Sequence, residues 1–418
     1  MEGISRPALQ VGTEPTLNRT LSLFQTTLYG LGVTIGAGIY VLIGAAAARA
    51  GMYAPIAFVL AAMVMACSAA SFAELGGRLP LAAGEAAYAR SAFRSGTLAL
   101  IVGLLVVAIA IVSAAAISLG SARYIGVFLA LPQPVLVTCV VLTMGTIAAL
   151  GISAAVTFAG TMTLIEIGGL VLLIAAGAGS GIQLIGRLPE GLPHFSSGTI
   201  AGILGTTLLA VFAFIGFEGI ANIAEEVRDP KRNLPRAIFL TLIISAVLYV
   251  LVLWVSLIAI PTPELAASDA PLALVFERLT GASPLIMSAI AIVATLNGII
   301  VQMIMSSRVL YGLSAQGSLP RALATVSPRT RTPLLATLVT VAVVWILAVL
   351  LPLERLADVT SHLTLIVFGL VNLSLIRIKA REQETPAGGY VAPRWAPWAG
   401  LLTCVLLTFD DVALLLLG

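Results

Sequence analysis

The chain has 418 residues, of which 59% are hydrophobic and only 10% charged, with a formal net charge of +3 and a mean hydropathy of +1.09. Nineteen acids and 22 bases cannot solubilise that much apolar surface, so a water-soluble domain is excluded. Two lysines and no aromatic-interleaved basic stripe exclude a nucleic-acid face, and no nucleic-acid partner is expected.

Met1 to Thr20 is polar and holds Arg6, Pro7, Pro15 and Arg19, without the apolar core of a signal peptide. Residues 1–23 therefore read as a cytoplasmic tail. Apolar runs long enough to cross ~30 Å of hydrocarbon, about 20 residues each, follow near 24–48, 54–76, 97–120, 133–151, 155–179, 199–224, 236–260, 284–312, 333–351, 360–378 and 395–417. With the N-terminus inside, 17 of the 22 basic residues fall on one side, the bias expected of correctly counted spans.

The first span contains Gly32-Val33-Thr34-Ile35-Gly36-Ala37-Gly38-Ile39, with three glycines in seven residues at mid-membrane depth. Each glycine costs about 1 kcal/mol of helix propensity relative to alanine, which marks the run for unwinding; close helix packing is the other reading. Glu74 and Arg78, at the end of the second span, have the spacing of a helical ion pair. Cys67, Cys139 and Cys404 stand singly in apolar runs and read as packing residues. Glu166, in the fifth span, is an acid at a depth where charge costs about 2.5 to 3.5 kcal/mol; it reads as pairing with a neighbouring helix or facing a cytoplasmic vestibule.

The sixth span repeats the glycine signal in Phe212-Ala213-Phe214-Ile215-Gly216-Phe217-Glu218-Gly219-Ile220, where two glycines flank a carboxylate. Interrupted helices five spans apart point to an inverted-repeat transporter with a midplane site, its halves at 24–179 and 199–378 and its C-terminal span or spans at 379–418. A half-helix beginning near Gly38 would turn free amides toward a carboxylate. A half-helix ending near Ala213 would offer carbonyls to an ammonium, and an α-amino acid carries both groups.

Glu225 and Glu226 are placed to meet the basic 228–236 loop. His194 and His362 map near the outer surface without ligand-spaced partners, so no metal site is expected, and Asp410 and Asp411 make the final run the weakest span. No nucleophile and base lie together at depth; the chain reads as neither an enzyme nor a cofactor binder. One inverted-repeat pair with scattered acids favours a carrier over a channel, which stays as the alternative class.

Taken with Glu225-Glu226-Val227-Arg228-Asp229-Pro230, Asn233-Leu234-Pro235-Arg236-Ala237-Ile238, Ser307-Arg308-Val309-Leu310-Tyr311-Gly312, Leu319-Pro320 and Arg331-Thr332-Pro333, the two glycine runs carry a resemblance across nearly every span. The chain resembles the amino acid, polyamine and organocation (APC) superfamily, and is similar to bacterial transporters of cationic and neutral amino acids. That resemblance implies an all-α polytopic membrane protein with a LeuT-type 5+5 inverted repeat, helices 1 and 6 discontinuous. About eleven spans are expected, twelve being possible in the family. It implies a secondary active amino acid transporter working by alternating access, multi-pass in a bacterial plasma (inner) membrane, and coupled to protons or to sodium. A polyamine or amine importer and an obligate amino acid exchanger stay open.

By the same resemblance, the backbone of Thr34, Ile35, Gly36, Ala37 and Gly38 would bind the substrate carboxylate, and that of Phe212, Ala213 and Ile215 the amine. Phe212 falls where relatives place an aromatic gate, and Ser113, Asn222, Asn297 and Thr364 would line the side-chain pocket. Proton-coupled relatives often carry a lysine at the start of the fifth span; here Gly151-Ile152-Ser153 has serine, which could line a sodium site, pack silently or bond its own helix. The expected proton-coupling group is Glu218, because desolvation favours its protonated form. Recognition of a cationic side chain and a structural hydrogen bond across the break are its other readings.

Overall fold

Lipid offers a backbone no hydrogen-bond partner, so apolar runs rich in Ala, Leu, Ile and Val must satisfy their own amides as helices. In a computed structural model, residues 19–79, 84–150, 156–193, 196–330, 332–382 and 388–409 are described, and among them helix is the only regular structure apart from one bridge between Leu21 and Val227. Ser153, His194, Arg331, Asp410 and Asp411 lie outside the described residues, as do the side chains of Ala37, Asn222 and Glu225.

The first span is two helices, α1 (Leu23–Ala37) and α2 (Ile39–Ala50), joined at Gly38. Ser22 and Gln25 form a reciprocal capping box that fixes where α1 begins. A 3-10 turn, Gly51–Tyr53, leads to α3 (Ala54–Arg78); α4 (Gly84–Phe93) is short, and α5 (Gly96–Gly126), α6 (Gln133–Leu150) and α7 (Val156–Gly179) complete the first half. The sixth span is again divided, into α8 (Ser197–Phe214) and the single turn α9 (Gly219–Asn222). Then come α10 (Pro230–Ala259), the short α11 (Thr262–Ala267) and α12 (Pro271–Thr280), α13 (Leu285–Ala315), α14 (Leu334–Leu350), α15 (Leu353–Arg381) and α16 (Trp395–Thr408).

Among the described residues eight stretches are long and apolar enough to cross a membrane, and α14 and α16 are shorter apolar helices. One of the eight, Ile39–Arg78, is 40 residues long and divides at the Gly51–Tyr53 turn. Counted with that division, the helices correspond to the eleven expected spans. The chain is a multi-pass membrane protein.

The exposed surface is apolar, and the largely apolar core also takes in polar side chains. Leu338, Leu406 and Met63 are each about 60% exposed, whereas Thr34, Ser113 and Glu166 are fully buried. Lipid-facing positions gain nothing from polarity, and the polar groups collect inside the bundle. Around α1 pack α7, α10 and α13, and α5 lies against α13 and α15, so the divided helices occupy the centre.

Candidate functional site

Both helix interruptions form where glycine was concentrated, and both are short. In α1 the helix runs through Gly32 and Gly36 and breaks only at Gly38, whose amide bonds Ile35 O at 3.3 Å and whose carbonyl receives the amides of Val41 and Leu42. The unwinding expected across Gly32–Gly38 is thus confined to one residue, because helices on several sides hold the earlier turns together. The second break spans residues 215–218, with Ile215 extended and Gly216 at φ +136.

The two breaks interlock. A Cβ on Gly38 would stand 2.5 Å from Ala213 Cα, and one on Gly216 would stand 2.7 Å from both the amide and the hydroxyl of Thr34. Each break therefore presents backbone to backbone across a seam that only glycine permits. Thr34 and Gly38 lie on one side of it and Ala213 and Gly216 on the other, while Gly36 faces Ala294 of α13.

Tyr249, at mid-length in α10, clasps the seam: its hydroxyl lies 2.9 Å from Thr34 O and 3.0 Å from Ala213 O. Sequence reading missed this residue. Its signal was a lone phenol in the middle of an otherwise apolar span, where a hydroxyl needs a buried partner. The carbonyl assigned above to an ammonium, that of Ala213, is the one Tyr249 holds here.

Glu218 turns back into its own break, its Oε2 accepting from the Gly216 amide at 2.8 Å. Glu166 of α7 pairs with a neighbouring helix, accepting from Asn297 Nδ2 of α13 at 3.0 Å, so the sequence-derived pocket residue Asn297 is committed to a carboxylate. The hydroxyls of Thr34 and Ser113 are buried without hydrogen-bond partners. Thr364 bonds the carbonyl of Thr360 in its own helix.

Phe212 is fully buried, and the ring clusters form around its neighbours. Phe214 packs with Phe58 and Tyr249, at centroid distances of 6.3 and 5.2 Å, while Phe217 packs with Phe72 and Phe368 at 5.9 and 5.5 Å. Aromatic rings thus bracket the second break.

Two cavities approach the seam from opposite ends, and neither has a break residue in its lining. One, of about 250 Å³, is lined by Arg49, Arg123, Asp269 and Glu354 and reaches Tyr40 and Tyr124. Beside it Arg49 of α2 makes a two-pronged ion pair with Asp358 of α15, at 2.9 and 2.8 Å. The other, of about 280 Å³, is lined by Glu74, Arg78, Lys231, Glu382 and Tyr390. Here buried Glu74 meets Arg78, as its spacing predicted, and also Lys379 Nζ at 2.7 Å and the Ala392 amide at 2.8 Å, while Arg78 reaches Glu382. Each end of the bundle is tied to α15 by charge.

The family described as amino acid permease matches residues 21–415. The chain belongs to that family. This permease is 28% identical to the branched-chain amino acid permease BcaP of Bacillus subtilis (strain 168), covering 89% of the chain and 83% of the relative. It is 32% identical to an uncharacterized transporter of Mycobacterium tuberculosis (strain ATCC 25618 / H37Rv), over 94% and 86% of the two chains. Cationic amino acid transporter 4 of Mus musculus is 27% identical over 93% of the permease and 64% of the relative. The fold is shared with a mutant of the Eremococcus coleocola manganese transporter, at a TM-score of 0.67 and 13% identity over 95% and 89% of the two chains. Family membership makes the chain a membrane transporter of the amino acid permease type.

Proposed function

We propose that the permease is a secondary active transporter that binds an amino acid between its two interrupted helices and carries it across the plasma membrane by alternating access, coupled to protons. The observation that carries this reading is the interlocked pair of breaks, with Gly38 against Ala213 and Gly216 against Thr34. Backbone groups freed at mid-depth need partners, and an α-amino acid supplies both a carboxylate for amides and an ammonium for carbonyls. Substrate entry displaces the Tyr249 hydroxyl from Ala213 O, which then accepts from the ammonium.

On this reading residues 24–179 and 199–378 are the two repeats, 379–418 supplies the C-terminal span, and the N-terminal tail is cytoplasmic. The cavity at Arg49 then faces outward and the cavity at Glu74 inward. Thr34 to Gly38 take the carboxylate, Phe212, Ala213 and Ile215 surround the amine, Ser113 contributes its free hydroxyl, and Phe212 gates the site. Asn297 lines the site through Glu166 rather than touching substrate.

Glu218 is the proton-sensing group at the substrate. Protonation weakens its hold on the Gly216 amide, freeing that N–H within the break. The test is uptake by purified protein in liposomes across a pH series. Saturable amino acid exchange is expected, with Glu218→Gln transporting without the parent's pH dependence. A Glu218→Gln profile identical to the parent's would remove the proton role, and absence of exchange for every amino acid would remove the transport reading.

A further inference from the structure

Glu166 is a buried carboxylate with no role in the transport cycle proposed above. It lies at mid-length in α7, fully buried, with Asn297 donating to Oε1 and with no partner for Oε2. The position a Cβ would take on Gly36 is 3.5 Å from that bare oxygen and 2.6 Å from Ala294 O. Oε2 therefore lies where the backbones of α1 and α13 touch, at Gly36, two residues before the Gly38 break.

The groups facing Glu166 are neutral. From α2, Tyr40 donates to the Glu166 backbone carbonyl at 2.7 Å, and from α10, Tyr249 faces it. Helix α1 carries no charged side chain. The charges of α10 (Lys231, Arg232, Arg236) lie in its first two turns, and Arg308 of α13 is three turns along from Asn297. Glu277 and Arg278 close the last turn of α12. An ionised carboxylate there would have one neutral donor and no facing cation, an arrangement costing several kcal/mol. A proton on Oε2 removes the charge at the oxygen that no donor serves.

We infer that Glu166 carries a transported proton, loaded on Oε2 while α1 packs against α13 and released when that seam opens. The route follows from the same contacts: Tyr40 and Tyr124 floor the Arg49 cavity, with Tyr124 bonded to the Tyr40 carbonyl at 2.8 Å and Tyr40 bonded to Glu166. Movement of α1 and α2 away from α13 would open the Arg49 cavity to Oε2. Glu166 is thus a second carboxyl, distinct from Glu218 and placed in the other repeat; the inference rests on the transport reading above.

The test compares the parent, Glu166→Gln and Glu166→Asp in liposomes with the membrane potential clamped at zero. With one proton per substrate, a gradient of about one pH unit drives roughly tenfold accumulation of amino acid in the parent. Glu166→Gln keeps an acceptor for Asn297 but has no proton to give; it should retain amino acid exchange while accumulation falls to the equilibrated level, and Glu166→Asp should recover part of it. Accumulation by Glu166→Gln equal to the parent's, with exchange intact in both, would overturn the inference alone. Parent accumulation driven by a sodium gradient and indifferent to pH would overturn it together with the proton coupling proposed above. An infrared difference spectrum between acidic and alkaline pH reads the site without transport: beside the bands of Glu218 and Glu85, one protonated-carboxyl component is expected in the parent and in Glu218→Gln but not in Glu166→Gln. Its persistence in Glu166→Gln and loss in Glu218→Gln would also overturn the assignment.

Discussion

Tyr249 shows how one side chain can hold a two-part site together. A buried hydrogen bond contributes about 1 kcal/mol net, and leaving its acceptors bare costs about 1 to 3 kcal/mol. Tyr249→Phe should therefore lower the melting temperature of the substrate-free permease. It should cost less when amino acid is bound, because the ammonium then serves Ala213 O; equal destabilisation with and without substrate would contradict the displacement. Glu85, in the short helix α4 outside the spans, gives a second test at this scale. Burial pushes its carboxyl up to about 7, from an ordinary value of 4.5. The folded protein then favours the neutral acid, so this stability is complete below about pH 4.5 and is lost as pH rises through about 7, a change of about 3 kcal/mol. Melting temperature should fall over that window in the parent and fall less in Glu85→Gln; parallel profiles would contradict it. Much at this scale was legible: Glu218, Glu166 and the Glu74–Arg78 pair stood out because charge in an apolar run is expensive. Tyr249 was hidden because a phenol in a membrane span is cheap and common, and only its two carbonyl partners, distant in sequence, reveal its use.

The divided helices belong to the next scale. Glycine density located both breaks, since helix propensity and close approach are local properties. Their lengths were not legible, because whether Gly32 and Gly36 unwind depends on α7, α10 and α13 packed around them. The seam makes a sharp prediction. Gly216 combines φ +136 with contact at 2.7 Å to Thr34, so alanine there must strain its backbone and push α1 away. Gly216→Ala should cost about 1 to 3 kcal/mol of stability and abolish exchange. Gly219→Ala, a glycine in the same segment with open space around it, should leave both near the parent. Similar losses for the two variants would mean that the interlock is not what the site requires.

For the molecule as a whole, the eleven-span order was readable from hydrophobic run lengths and the distribution of arginines, both consequences of the bilayer. The tying of both ends to α15 was not, because Arg49 and Asp358 are 309 residues apart in sequence. A partly exposed ion pair of this kind is worth about 1 kcal/mol, enough to bias a two-state equilibrium severalfold. Asp358→Asn should therefore speed thiol labelling of a cysteine replacing Val41, which is buried at 7% exposure in the wall of the Arg49 cavity; an unchanged rate would contradict its role as a latch. On the proposed reading transport rests on the interlocked breaks, and counterflow of labelled amino acid into liposomes preloaded with the unlabelled compound measures it most directly. The account predicts saturable counterflow for at least one amino acid, lost in Gly216→Ala and kept in Gly219→Ala. Flux that never saturates, or counterflow undiminished in Gly216→Ala, would contradict it.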